Sequence, residues 1–215
     1  MKYLQRMLLI PLFITFTACS SVYYDGLEKI GIPKRDVMVY RVEKARDTQE
    51  ETKEQFKSAL HQFTVVTNFK GGDLEAIYNK LNDEYEASVG MAEEVNERIA
   101  DIEDVSEALF SEWEQEITQY NSASLKRSSQ KKLNGTKAHY RQLISSMKAA
   151  EAKIEPILRV FNDQVMYLKH NLNARAISSL KSELGAIKSD VSSLINSMEK
   201  SIDEANAFIN TMEQQ

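Results

Sequence analysis

Beyond Pro33 apolar residues recur three and four positions apart almost without a gap, the spacing that lays one stripe along an α-helix. A first helix is predicted over about 34 to 69, with Val42, Ala45, Phe56, Ala59, Phe63 and Val66 on its stripe. Lys70-Gly71-Gly72 ends it, and Asp73 is suited to cap the next. The second helix, about 73 to 121, carries Leu74, Ile77, Leu81, Met91, Val95, Ile102, Val105 and Leu109, flanked by Tyr78, Tyr85, Ile99, Trp113 and Tyr120. A third runs through Tyr140, Leu143, Met147, Ala150, Ile154, Ile157, Phe161 and Leu168, with Pro156 expected to kink it. The fourth follows Asn171 to Asn173 and has the most regular stripe: Ile177, Leu180, Leu184, Ile187, Val191, Leu194 and Met198, widened by Ile195, Ile202 and Ile209. Three apolar positions per heptad suit a bundle core better than a two-stranded coiled coil. The expected fold is all-α, an elongated up-and-down bundle of about four long helices with coiled-coil-like packing over 34–215.

Charge decides where the second helix turns into the third. Glu93 to Glu116 holds ten carboxylates against Arg98, whereas Lys126 to Lys153 holds eight Lys and Arg side chains against Glu151. A reversal near Asn121 to Ser124 sets these stretches side by side with opposite signs. A reversal at Asn134-Gly135 sets Lys131 and Lys132 against Lys137 and Arg141 instead. The first is preferred, although it leaves a turn-forming pair inside a helix at about 1 kcal/mol for the glycine. The middle helices then have near 48 residues each and reach roughly 70 Å.

The start of the chain changes the picture. Lys2 and Arg6 precede an apolar run, Met7 to Phe16, and then the small residues Thr17 and Ala18, the layout of a secretory signal over 1–18. The run is shorter than the roughly 20 residues a spanning helix needs. Phe16-Thr17-Ala18-Cys19 resembles the lipobox of bacterial lipoproteins, in which the cysteine is acylated and becomes the new N-terminus. Cys19 is the sole cysteine, so no disulfide holds the monomer together, and lipidation gives an exported thiol a use. An ordinary signal cut nearby, with an incidental thiol, is the plainer alternative. Residues 19–33 then form a lipidated tether with local structure. By analogy with enteric lipoproteins, Ser20 directs the protein to the periplasmic face of the outer membrane. Without Lys2 and Arg6, 25 basic and 32 acidic side chains leave a formal charge of −7, a poor match for nucleic acid.

Three segments carry a likeness: Pro33-Lys34-Arg35-Asp36-Val37, Lys53-Glu54-Gln55-Phe56 and above all Leu168-Lys169-His170-Asn171-Leu172-Asn173-Ala174. With them the stretch from Ser21 to Phe208 resembles an uncharacterised bacterial lipoprotein family, the domain-of-unknown-function family numbered 2959. The resemblance implies the architecture and brings neither an activity nor functional residues.

Candidate chemistry is sparse. His61, His139 and His170 stand alone, without His-x-x-x-His or Glu-x-x-His spacing, so no metal site, catalytic group or cofactor is expected. His170 reads as a charge complement at a helix C-terminus. Gly71-Gly72 reads as a helix stop rather than a phosphate loop. Glu93-Glu94 and Asp101 with Asp104 read as a solvated or salt-bridged face before a cation site. Two sets remain as an interaction surface. The basic, serine-rich segment with Lys126, Arg127, Lys131 and Lys132 suits lipid or lipopolysaccharide phosphates or peptidoglycan carboxylates, although pairing with the acidic second helix accounts for the same charges. Asn171, Asn173 and Arg175 form a polar hinge that ordinary capping explains equally well. The expected protein is a non-enzymatic, lipid-anchored envelope scaffold with an envelope protein or peptidoglycan as partner; the alternative is a bundle that carries a lipid or other hydrophobic ligand. Exposed remnants of the wide stripes leave pairing of two rods open.

Overall fold

The computed structural model of the chain describes residues 19–214, so the export segment read at 1–18 lies outside the described residues. Six helices and short turns make up the whole, with no strand among the described residues. They are α1 (Cys19–Lys29), α2 (Lys34–Thr67), α3 (Leu74–Gln119), α4 (Ala123–Glu151), α5 (Ile154–His170) and α6 (Ala174–Glu213). The boundaries follow local chemistry. Gly31, at φ 89°, turns the chain from α1 towards α2, and Gly71 and Gly72, at φ 143° and 115°, turn it from α2 towards α3. These backbone angles favour glycine. Asp73 then accepts the Ala76 amide at 3.0 Å, as a capping residue should. The chain reverses at Tyr120 to Ser122, where the alternation of charge puts it, and Asn134-Gly135 stays inside α4.

One expectation is corrected. The third helix is not continuous with a kink at Pro156; it is two helices, α4 and α5, parted at Ala152 and Lys153. A proline ring meets the carbonyl four residues earlier, which here belongs to Ala152. Opening the chain there puts Pro156 in the first turn of α5, where a missing N–H costs nothing.

Each helix packs on its neighbours in an antiparallel ring. α2 lies between α3 and α6, and the α4–α5 pair lies opposite it, also between α3 and α6. α3, with 46 residues, sets the length at roughly 70 Å. The apolar stripes meet along the axis: Phe56, Ile102, Val105, Leu143, Met147, Leu180, Val191, Leu194, Met198 and Phe208 are all inaccessible or nearly so. Each such side chain contributes about 1.5–3 kcal/mol by leaving water. Two turns of α2 break the pattern. Between Ala45 and Phe56 the inward positions carry Gln49 and Thr52, both buried, and Ser201 of α6 is buried too. Thr52 donates to the Thr48 carbonyl at 2.7 Å, whereas neither amide atom of Gln49 nor the Ser201 hydroxyl has a partner among the described residues.

The segment read as a tether is largely helical and belongs to the body. α1 runs back along α2 and α3, with Tyr24 fully buried and its hydroxyl donating to the Asp104 carboxylate. The Arg41 guanidinium lies 5.4 Å from the Tyr24 ring centroid and 3.3 Å from Asp104. Further along α1, Glu28 reaches Lys34 at 3.0 Å. These contacts fix the direction: Cys19 begins α1 beside the flank of the rod, roughly 18 Å up from the start of α2.

Candidate interaction surface

The bundle has two ends of different construction. At the near end lie the α1–α2 turn, the α3–α4 turn and the last turn of α6. Lys34 bridges to Glu112 at 3.1 Å, and Arg35 donates to the Met212 carbonyl, so α2 begins and α6 ends level with Glu112. α3 continues seven residues past that level, about 10 Å, before α4 returns beside it. The α3–α4 hairpin therefore projects beyond the other two helices. Trp113 ties it together by donating to the Ser129 hydroxyl at 2.9 Å, and Ser122 caps α4 by accepting the Leu125 amide.

Because α2 and α6 stop short, the mouth of the core stays open under the hairpin. The opening, about 360 Å³, is walled by Leu109, Trp113, Tyr120, Leu125 and Met212, with Arg35, Glu112, Glu116 and Lys132 at its margin. Burial raises the Glu112 carboxyl above its ordinary range, against the hydrogen bond from Lys34, which lowers it. Ile30, Ile32, Tyr120 and Leu125 are exposed at this end.

Lys126, Arg127, Lys131 and Lys132 are all exposed on the outgoing arm of this hairpin, and none forms an ion pair among the described residues. Pairing with α3 accounts for other bases of α4: Lys137 meets Glu114 at 2.5 Å and Lys148 meets Glu103 at 2.5 Å, which also raises the Lys148 ammonium above its ordinary range. Part of the acidic face of α3 is neutralised from α2 and from within α3. Arg41 holds Asp101 and Asp104, and Arg98 of α3 itself holds Glu94. Of the carboxylates singled out in the sequence, Asp101, Asp104 and Glu94 are thus salt-bridged. Burial, followed by the bond to Asp104, raises the Tyr24 phenol far above its usual value.

At the far end Asn171, Asn173 and Arg175 lie in and just after the α5–α6 turn. Asn173 accepts the amides of Arg175 and Ala176 at 3.0 and 3.1 Å, and Asn171 donates to the Tyr167 carbonyl at 3.0 Å. Capping occupies both asparagines, so of this trio Arg175 alone presents an exposed charge without an ion pair among the described residues. Val65, Met166, Tyr167 and Leu172 are exposed nearby. Since α6 has 40 residues, the two sets of predicted surface residues stand roughly 60 Å apart and cannot serve one small ligand. Sequence spacing missed both the exposure of Tyr120 and the fold-back of α1; a hairpin that overshoots its partners leaves no mark in periodicity.

His61, His139 and His170 are exposed on three different helices. Among the described residues no group of three or more His, Cys, Asp or Glu side chains gathers as metal ligands would. Likewise no helix of the described residues is long and apolar enough to cross a membrane.

Fold and surface together define an elongated antiparallel helical bundle with chemically distinct ends. A family model described as a protein of unknown function, DUF2959, matches residues 23–212, and the chain belongs to that family. Neither a curated protein nor a solved structure matches the sequence.

Proposed function

We propose that the protein is a lipid-anchored scaffold or spacer of the bacterial cell envelope, held at the periplasmic face of the outer membrane through Cys19 and acting by contact rather than by catalysis. The observation that carries this reading is the rod itself, about 70 Å long around one continuous core, with exposed apolar side chains toward its two ends. Patches of exposed apolar residues mark contact sites. The near end, toward which α1 runs from Cys19 on the adjoining flank, faces the membrane; the far end, with Tyr167, Leu172 and Arg175, meets an envelope protein or peptidoglycan. Photo-crosslinking residues at Tyr167 and Arg175 in living cells test this. A discrete protein or glycan attached at the far end supports the scaffold. Recovery of free chain only would sink it, as would turnover of a defined envelope substrate by the purified protein. Lipid on Cys19 is read separately, from the intact mass of the chain extracted from membranes.

The opening at the near end favours a second reading, a carrier of a lipid or other hydrophobic ligand. Its volume of about 360 Å³ falls at the lower end of the roughly 300–1,000 Å³ usual for ligand pockets. This reading requires a lipid that co-purifies at near stoichiometry and quenches the sole tryptophan, Trp113, in its wall.

A further inference from the structure

We infer that the projecting α3–α4 hairpin is a second membrane contact, one that docks on the phosphate headgroups of an anionic lipid surface. The sequence from Ser122 to Ala150 contains no acidic residue, so the bases of α4 have no carboxylate on their own helix before Glu151. α3 neutralises Lys137 and Lys148 but leaves Lys126, Arg127, Lys131 and Lys132 exposed without an ion pair among the described residues. Two of these, Arg127 and Lys131, lie four apart and share one helix face. Unused positive charge of this kind is what a phosphate-bearing surface recognises.

The apolar content of the same end adds to the argument. Tyr120 and Leu125 are exposed at 43% and 57% on the hairpin tip, and Ile30 and Ile32 at 73% and 40% on the neighbouring turn. A nucleic acid or soluble polyanion has no use for Tyr120 and Leu125 beside a basic patch, whereas the boundary between headgroups and acyl chains takes both kinds together. Glu116, Glu213 and Asp36 lie at the same end and oppose the attraction while Lys29 adds to it, leaving a net of two positive charges in excess. At the far end Lys70, Lys169 and Arg175 are also exposed without ion pairs among the described residues, but they come from three different elements, with Asp73 and Glu75 at the same end, whereas the four near-end bases sit together on one helix. The inference deepens the envelope reading by naming what the near end rests on.

The test uses the full chain and vesicles with brominated acyl chains, made either of phosphatidylcholine alone or of phosphatidylcholine with phosphatidylglycerol. Trp113, in the wall of the hairpin, reports contact through bromine quenching. Each base near an anionic leaflet raises partition by about fivefold. With a net excess of two charges, quenching should therefore appear at roughly 25-fold less lipid in the anionic vesicles and weaken with salt. The K126E/R127E/K131E/K132E variant should lose that preference with its circular dichroism unchanged, while Arg175→Glu should keep it. Equal quenching by neutral and anionic vesicles, or a preference that survives the charge reversal, would overturn the inference. Because an anchor at Cys19 acts equally on both vesicle types, its presence or absence leaves this contrast intact.

Discussion

The two ends of the rod use polar residues to opposite effect. At the far end Asn171, Asn173 and Asp73 spend their side chains on helix termini, bonding to amides and carbonyls that would otherwise lack partners. At the near end Lys126, Arg127, Lys131 and Lys132 hold nothing within the described chain, and the apolar side chains around them reach solvent. The apolar contacts differ as well. Phe63 of α2 and Phe161 of α5 meet across the far core at 6.1 Å between ring centroids, whereas Tyr24 is brought to the near flank by an 11-residue helix. What separates the near-end bases from the capping residues is whether the fold already uses their hydrogen bonds.

Replacing the two aromatic anchors should break the comparison most visibly. Phe63→Ala empties a site in the shared core and is expected to cost about 3–5 kcal/mol, read as a lower midpoint in urea. Tyr24→Ala should leave that midpoint within about 1 kcal/mol of the parent, because α1 can detach locally while the bundle stands. Its signature is faster amide exchange over residues 23–29. If both variants lowered the midpoint equally, α1 would be part of the cooperative core and the ends would not differ in this way.

Between the ends, Gln49→Leu should raise stability by about 1–2 kcal/mol, since both of its amide atoms are buried without partners among the described residues. A loss of stability there would show that a polar partner is bound in the middle of the core.

Asn173→Ala removes a cap that accepts two amides and should cost about 1 kcal/mol in the same urea assay. Lys126→Ala at the near end should leave stability unchanged within about 0.5 kcal/mol. A cost for Lys126 matching that for Asn173 would mean the near-end base is structural. Smallest of all, Lys137→Gln breaks an ion pair whose acid is largely exposed and should cost a few tenths of a kcal/mol, vanishing in high salt.

The extents of α2, α3 and α6 and the inward face of each long helix were already written in the spacing of Leu, Ile, Val and Phe, because a 3.6-residue period lets a helix bury one face only if every turn supplies an apolar side chain. The reversal at Tyr120 to Ser122 followed from charge, and the caps at Asp73 and Asn173 from residue type. Three features waited for the tertiary structure. Gln49 and Thr52 occupy core positions because neighbouring stripes bury them whatever their polarity. The break before Pro156 arises because the carbonyl the ring would strike, that of Ala152, can end a helix instead of bending it. The open, base-rich near end exists because α3 and α4 outrun α2 and α6 by about two turns. Periodicity is a property of one helix at a time, whereas relative length and register belong to the set, and only packing the helices against one another decides them.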